Sequence, residues 1–304
     1  MRAEIIEDAG AAASGDEFFR SAEFLRAEDV THTLRLGDLY APLIVRPIGD
    51  SGRIDAISPY GYPGVAGTAA APIDPADVDW SATGLVSIFI RHTLAELLPL
   101  AGSAQRNVVL LADPALPPKS RSSDRNRINK NRRAGYEVQL VPGPQTTAEQ
   151  RAGFLAAYEQ TMRRAAAAER YFFAAAYFDR ILESDRAWLA LAHAPGGGVA
   201  AASVTVRSDG FLHYYLSGSA DAHLRDSPMK SVVASLVELS AEQGLPLNLG
   251  GGLSPGDPLE EFKRGFANRE QPWHTSEIVC DPDAYDRLAA GTSATGFFPA
   301  YRSG

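Results

Sequence analysis

Lys263 is one of only four lysines among 304 residues, the others being Lys119, Lys130 and Lys230. It lies in EFKRGF (Glu261 to Phe266), where Phe262 and Phe266 at i, i+4 spacing can anchor a short helix. A lysine held in this way is a fixed cation, suited to stabilising negative charge that develops during a reaction. Just upstream, LNLGGG ends in Gly250, Gly251 and Gly252, a turn that would let a substrate approach the backbone. Tyr214 and Tyr215 sit in the strand-like HYYLSG (His213 to Gly218). Strand alternation turns one towards a cleft and the other into a core, and a cleft-facing hydroxyl can orient an amine or relay a proton. The bland readings are a solvated helix lysine, an ordinary glycine loop and a half-buried aromatic strand.

Lys119 to Arg133 gathers Lys119, Arg121, Arg125, Arg127, Lys130, Arg132 and Arg133 against one acid, Asp124. In a chain of net charge -8 this is a concentrated patch that can hold the phosphates of tRNA or of a nucleotide-linked acceptor, with salt-sensitive affinity. A solvated helix face is the alternative. Arg225 and Lys230 can hold a further anion, and Tyr60 and Tyr62 in SPYGYPG can shape an acceptor pocket or simply make a turn. Arg170, Tyr171 and Phe172 read as packing at a domain junction. Other chemistries find little support. The six histidines show no metal-ligand spacing, and there is no GxSxG, GxGxxG or Walker loop. The single cysteine, Cys280, excludes an internal disulfide and reads as a core residue.

The elements that must position these groups follow from pattern. Asp16 to Ala27 reads as a short helix that Asp16 could cap, after a loose acidic start over residues 1 to 15. Strands are expected over Thr31–Leu36, Ala41–Ile48, Gly84–His92, Arg106–Asp113 and Tyr136–Val141, with a helix over Ser123–Gly135. Helices over Thr147–Ala167 and Ala174–Glu183 then lead into three strands, Ala187–Ala194, Val199–Arg207 and Phe211–Gly218. A long helix over about Ser227–Gln243, the LNLGGG strand, the FKRGF helix and a strand near His274–Val279 complete the order. The two halves share this rhythm, and the boundary is set near Pro142 to Thr147, giving domains of 1–144 and 145–304. With 45% hydrophobic and 22% charged residues the chain should pack cores. No apolar run marks a secretion signal or a membrane span, so a cytoplasmic protein is expected. Arginine in place of lysine, with abundant alanine, suggests a GC-rich bacterial genome.

DEFFRSAEF, SPYGYPG, RINKNRRAGYEV, RYFFAAAYF, HYYLSGS and LNLGGG followed by FKRGF occur in an order that resembles the Fem-type aminoacyltransferases of the GNAT superfamily. The resemblance covers about residues 16 to 285. It implies an α/β fold of two tandem GNAT-like domains, each a mixed, mostly antiparallel sheet flanked by helices, with the main catalytic cleft in the second. It also implies transfer of an amino acid from aminoacyl-tRNA to an amine, with amide formation and no metal or redox cofactor. Lys263 would then stand at the acyl end of the cleft. The acceptor would be a small metabolite, as in building peptide-like natural products, or a peptidoglycan precursor. No lysine-rich helical hairpin of the kind some larger members carry is apparent.

The superfamily's commoner donor is acetyl-CoA, whose pyrophosphate needs free N–H groups on a glycine-rich turn at a helix start. The corresponding segment, GSADAHLRDSPMK, lacks closely spaced glycines. Ser227 reads as a cap and Pro228, which has no N–H, as the first helical residue. Aminoacyl-tRNA is therefore the expected co-substrate, with an acetyl-CoA-dependent N-acyltransferase and a non-catalytic binding protein as alternatives.

Overall fold

The computed structural model describes residues 1–13, 17–94, 98–252, 254, 256–292 and 296–303. In chain order its elements are β1 (Glu4–Ile6), α1 (Ala22–Ala27), β2 (His32–Leu36), β3 (Leu39–Pro47), β4 (Ile54–Ile57), β5 (Leu85–Arg91), β6 (Ala104–Ala112), α2 (Ser122–Arg133) and β7 (Glu137–Pro142). There follow α3 (Ala148–Arg164), α4 (Ala175–Ile181), β8 (Ala187–His193), β9 (Val199–Ser208), β10 (Phe211–Ser219), α5 (Met229–Gln243), β11 (Leu247–Gly250), α6 (Pro258–Arg264), β12 (Arg269–Val279) and α7 (Pro282–Ala289).

The chain divides into two compact units, Met1–Asn107 with Pro272–Gly304, and Val108–Gln271. The expected boundary at 144/145 falls inside the second unit. There β7 pairs with β8 from Glu137↔His193 to Pro142↔Trp188, which ties the basic α2 and β7 to the later strands. The chain's last segment returns to the first unit. Among the described residues no helix is long and apolar enough to cross a membrane.

In the first unit the strand order is β1-β2-β3-β4-β5-β12, antiparallel except for the parallel β4–β5 pair. Leu34, Leu36, Leu43, Ile88 and Ile90 form its core with Trp80. The acidic start is not loose. Glu4–Ile6 pairs with β2, and Ala3 is buried beneath a backbone bond to Asp79. The expected single helix after it is broken into a 3₁₀ turn, Phe18–Arg20, and α1, which Ser21 caps by accepting from the Phe24 N–H. The expected cap Asp16 lies outside the described residues. The C-terminal segment is held by Asp55, a fully buried carboxylate that receives Arg46, Arg302 and the Tyr301 hydroxyl.

In the second unit the order is β6-β11-β10-β9-β8-β7, with β10–β11 parallel and the other pairs antiparallel. On one face α5 packs Val232, Val233, Leu236 and Leu239 against Ala190, Ala192, Ala201 and Leu212. Against β10 packs α3, so closely that a Cβ on Gly218 would lie 2.4 Å from the Ala157 carbonyl oxygen. Burial on both faces explains why β8 and β9 read as nearly unbroken apolar runs. A capping box formed by Thr147 and Gln150 starts α3, and Gly244 in the left-handed region ends α5.

Candidate active site

The parallel ladder between β10 and β11 is short. It holds Leu212↔Leu247 and His213↔Asn248. Beyond that pair β10 shifts register between Tyr214 and Leu216 and runs on to Ser219, while β11 shifts between Asn248 and Gly250 and ends. The strands therefore part directly after His213 and Asn248. Bulges of this kind re-aim side chains and end pairing.

Lys263 is brought to the end of β11 by α6. Asp257 caps that helix by accepting from the Glu260 N–H at 2.7 Å, and Pro258 occupies its first turn. Phe262 and Phe266 stand 5.8 Å apart and join the apolar cluster under α5, as their spacing predicts. This anchoring leaves Lys263 only 7% exposed, with Nζ donating to the Gly251 carbonyl at 2.6 Å. Burial lowers its pKa from 10.5 to about 8, against an opposing pull from the Asp257 charge. Its ammonium is thus a buried cation with a depressed pKa, not a solvated surface charge.

Gly250 and Gly252 both sit where a side chain would crowd its neighbours. Gly250 has φ +72°, and a Cβ there would stand 3.3 Å from Lys263 Nζ. A Cβ on Gly252 would meet Asp257 Oδ1 at 2.7 Å. The two tyrosines divide as alternation requires. Tyr214 packs into the cluster that holds Phe262 and Met229, its hydroxyl meets Ser217, and burial raises its pKa to about 12. Tyr215, at the bulge, reaches the other way, and its hydroxyl lies 2.7 Å from that of Tyr177 on α4.

Several expected site residues have other work. Lys230 Nζ donates to the buried carboxylate of Asp124 at 2.6 Å, so it is not held open for an anion. Ser227 is not the α5 cap. It adopts φ +49°, its hydroxyl turns back to the Leu224 carbonyl, and Pro228 precedes the helix without a side-chain cap. Arg225 is exposed in the preceding 3₁₀ turn, Asp221–Asp226. Tyr60 and Tyr62 lie in the first unit. The Tyr60 N–H donates to Glu28, and the Tyr62 ring meets Phe19 and Trp273 edge-on. Arg170, Tyr171 and Phe172 lie between α3 and α4, well inside the second unit rather than at its boundary.

On α2, Asp124 and Asn131 face inward, while Arg125, Lys130, Arg132 and Arg133 are exposed. Arg127 approaches Asp226 at 3.9 Å, Arg125 donates to the Ser120 carbonyl, and Arg132 and Arg133 reach Asn129. These local bonds leave the positive charges on the surface. Sequence reasoning missed Asn248, His213, Asp124 and Asp257. A polar residue inside the apolar LNL run was the available signal for Asn248.

With this geometry in view, residues 118–264 match the family described as an acetyltransferase (GNAT) domain. FemX superposes with a TM-score of 0.62 at 10% identity, over 93% of this chain and 99% of that one. The fold is that of FemX, with a GNAT domain match in the second unit. The C-terminal domain from Agrobacterium fabrum described as that of a lysylphosphatidylglycerol synthetase superposes with a TM-score of 0.60 at 14% identity over 88% of this chain and 89% of that one. L-PGS from Bacillus licheniformis follows with 0.56 at 14% identity, over 81% and 82%. No curated protein matches by sequence. The GNAT match falls wholly within the second unit and runs from the start of the basic segment through Lys263.

Proposed function

We propose that the protein is an aminoacyltransferase that moves an amino acid from aminoacyl-tRNA to an amine. The observation that carries this reading is the buried Lys263 ammonium, fixed at the Gly250–Gly251 turn where β10 and β11 part. An aminoacyl ester is already activated, so the reaction needs a neutral amine, alignment and a stabilised oxyanion, and no protein nucleophile. The amine lone pair attacks the ester carbonyl and a C–N bond forms. The oxyanion collapses, the C–O bond to ribose breaks, and the amine's proton ends on the ribose hydroxyl. Lys263 supplies the cation beside the developing oxyanion. The Tyr215–Tyr177 hydroxyl pair supplies a route for the amine's proton. The exposed basic side of α2 suits the phosphates of tRNA, and the acceptor is a small amine-bearing metabolite or a peptidoglycan precursor.

The match to an acetyltransferase domain favours a second reading, acetyl-CoA as donor. The start of α5 fits its pyrophosphate poorly. Pro228 offers no N–H, and the N–H groups of Lys230 and Ser231 already donate to Ser227 and Pro228 carbonyls. This supports a charged tRNA over CoA.

The test is to incubate the protein with tRNAs charged with labelled amino acids and a panel of amines. Acceptor-dependent transfer of label is expected. If no charged tRNA gives product while acetyl-CoA is consumed, the second reading replaces the first. Retention of ligand without turnover of either donor would make it a binding protein.

A further inference from the structure

Asn248 and His213 are the last pair of the β10–β11 ladder, 1% and 2% exposed. A run of hydrogen bonds assigns their side-chain atoms. The Gly250 N–H donates to Asn248 Oδ1 at 2.8 Å. The carboxamide Nδ2 is then turned to His213 Nδ1 at 3.1 Å, so that nitrogen accepts. The ring proton sits on Nε2, which donates to the Ser208 carbonyl at 3.2 Å. A proton on Nδ1 would set donor against donor, and burial keeps the ring neutral, with its pKa lowered to about 4. The carboxamide therefore has one orientation. It presents oxygen to the N–H of Gly250, the residue in the left-handed region, and the carbonyl of the following residue, Gly251, receives Lys263.

We infer that Asn248 is a positioning residue for Lys263: its carboxamide holds the Gly250 turn, the turn aims the Gly251 carbonyl, and that carbonyl fixes the ammonium, with His213 keeping the carboxamide oriented. The inference rests on Lys263 being the cation of the transfer site. It explains why a polar pair is buried where the strands separate, since an apolar pair would leave the Gly250 N–H without this acceptor.

The protein's four lysines make the test direct. In the full chain labelled at lysine Cε, four side-chain signals are followed through pH, and the one absent from Lys263→Met is Lys263. Asn248→Ala and Asn248→Ser leave similar voids and both lose the His213 contact. Only serine keeps a hydroxyl that can accept from an N–H two residues on. In Asn248→Ala the Lys263 midpoint is expected to rise by about one pH unit as water reaches the ammonium, and in Asn248→Ser by less than half of that. With substrates, kcat in Asn248→Ala should fall about tenfold to a hundredfold with KM little changed, and recover in part in Asn248→Ser. Equal midpoints in the two variants, or a wild-type midpoint in Asn248→Ala, overturn the inference. If Asn248→Ala does not fold, hydrogen exchange at the wild-type Gly250 amide decides. Protection of about a hundredfold or more over an open chain supports the bond, and open-chain exchange overturns it. The titration needs no substrate, so a midpoint that moves in a protein inactive with every charged tRNA sinks the functional reading and leaves the positioning intact.

Discussion

Lys230 Nζ stands 2.6 Å from Asp124 Oδ1, and this pair ties two helices of the second unit together. Asp124 belongs to α2 and Lys230 to α5. The second carboxylate oxygen lies where a Cβ on Gly265, at the end of α6, would come within 2.5 Å, so a larger residue there would displace the carboxylate. One buried ion pair thus joins the helix carrying the exposed arginines to α5, close beside the end of the helix carrying Lys263. Lys230, expected to hold an anion, is thus engaged in an ion pair, while Lys263 is the lysine proposed for the chemistry.

Lys230→Met should therefore cost stability. It leaves the 6% exposed Asp124 side chain unpaired, a loss of about 3–5 kcal/mol. Combining it with Asp124→Leu should recover much of that, because removing both charges removes the unpaired one. Urea unfolding of the two single variants and the double variant measures this. Full stability of Lys230→Met would return Lys230 to the list of substrate ligands.

Lys263→Met should behave in the opposite way. Turnover is expected to fall about 10²–10³-fold if the ammonium stabilises the oxyanion. The fold should persist, since methionine suits a buried site next to Phe262 and Phe266. Stability linkage gives a second readout. The folded pKa of about 8 lies below the ordinary 10.5, so between these values the unfolded chain holds a proton that the native chain has released. Wild-type stability relative to the variant should then rise with pH across that window, by on the order of 3 kcal/mol. A flat difference from pH 7.5 to 10 would mean that Lys263 is solvated.

The order of elements was legible because it is local. Apolar runs, the Thr147 box and the Phe262–Phe266 spacing each act within a few residues. The short strands β1 and β4 and the helix α7 were missed, because three or four residues, or a single amphipathic turn or two, leave little periodicity. The division of the units was not legible, because the pairing of β7 with β8 and the return of the chain's end to the first unit are non-local. The same reason hid Asn248. Its neighbours in LNLGGG announce a strand and a turn, but its role depends on His213, distant in sequence and adjacent only once β10 and β11 pair. Lys230 misled for a related reason, since its partner Asp124 lies on another helix.

Acid should destabilise the protein through two buried histidines. Burial lowers His213 to about 4, and burial with the nearby His274 charge lowers His92 to about 4. Each folded value lies below the ordinary 6.5, so between 6.5 and 4 the unfolded chain binds protons that the native chain refuses. Stability is complete above about 6.5 and is lost as pH falls towards 4, by on the order of 3 kcal/mol for each ring. Denaturant midpoints from pH 7.5 to 4.5 check this, and the slope should shallow in His92→Gln. An unchanged slope in that variant would assign the acid limb to other groups.

The exposed basic side of α2 makes the last prediction. Arg125, Lys130, Arg132 and Arg133 are on the surface, where replacing all four by glutamine should disturb folding by less than about 1 kcal/mol. If they hold tRNA phosphates, binding should weaken alike for all tRNAs, because phosphate contacts carry no sequence information. The salt dependence should weaken as well. Each lost contact removes about 0.7–0.9 from the slope of log affinity against log salt, so four contacts would lower it by about 3. Transfer at saturating tRNA should change little, because in the proposed reaction these charges serve binding and Lys263 serves the bond being made. Filter binding of charged tRNA from 50 to 300 mM salt distinguishes the outcomes. A quadruple variant with the wild-type slope would make the patch a solvated helix face, and the tRNA contacts would then have to come from elsewhere in the protein.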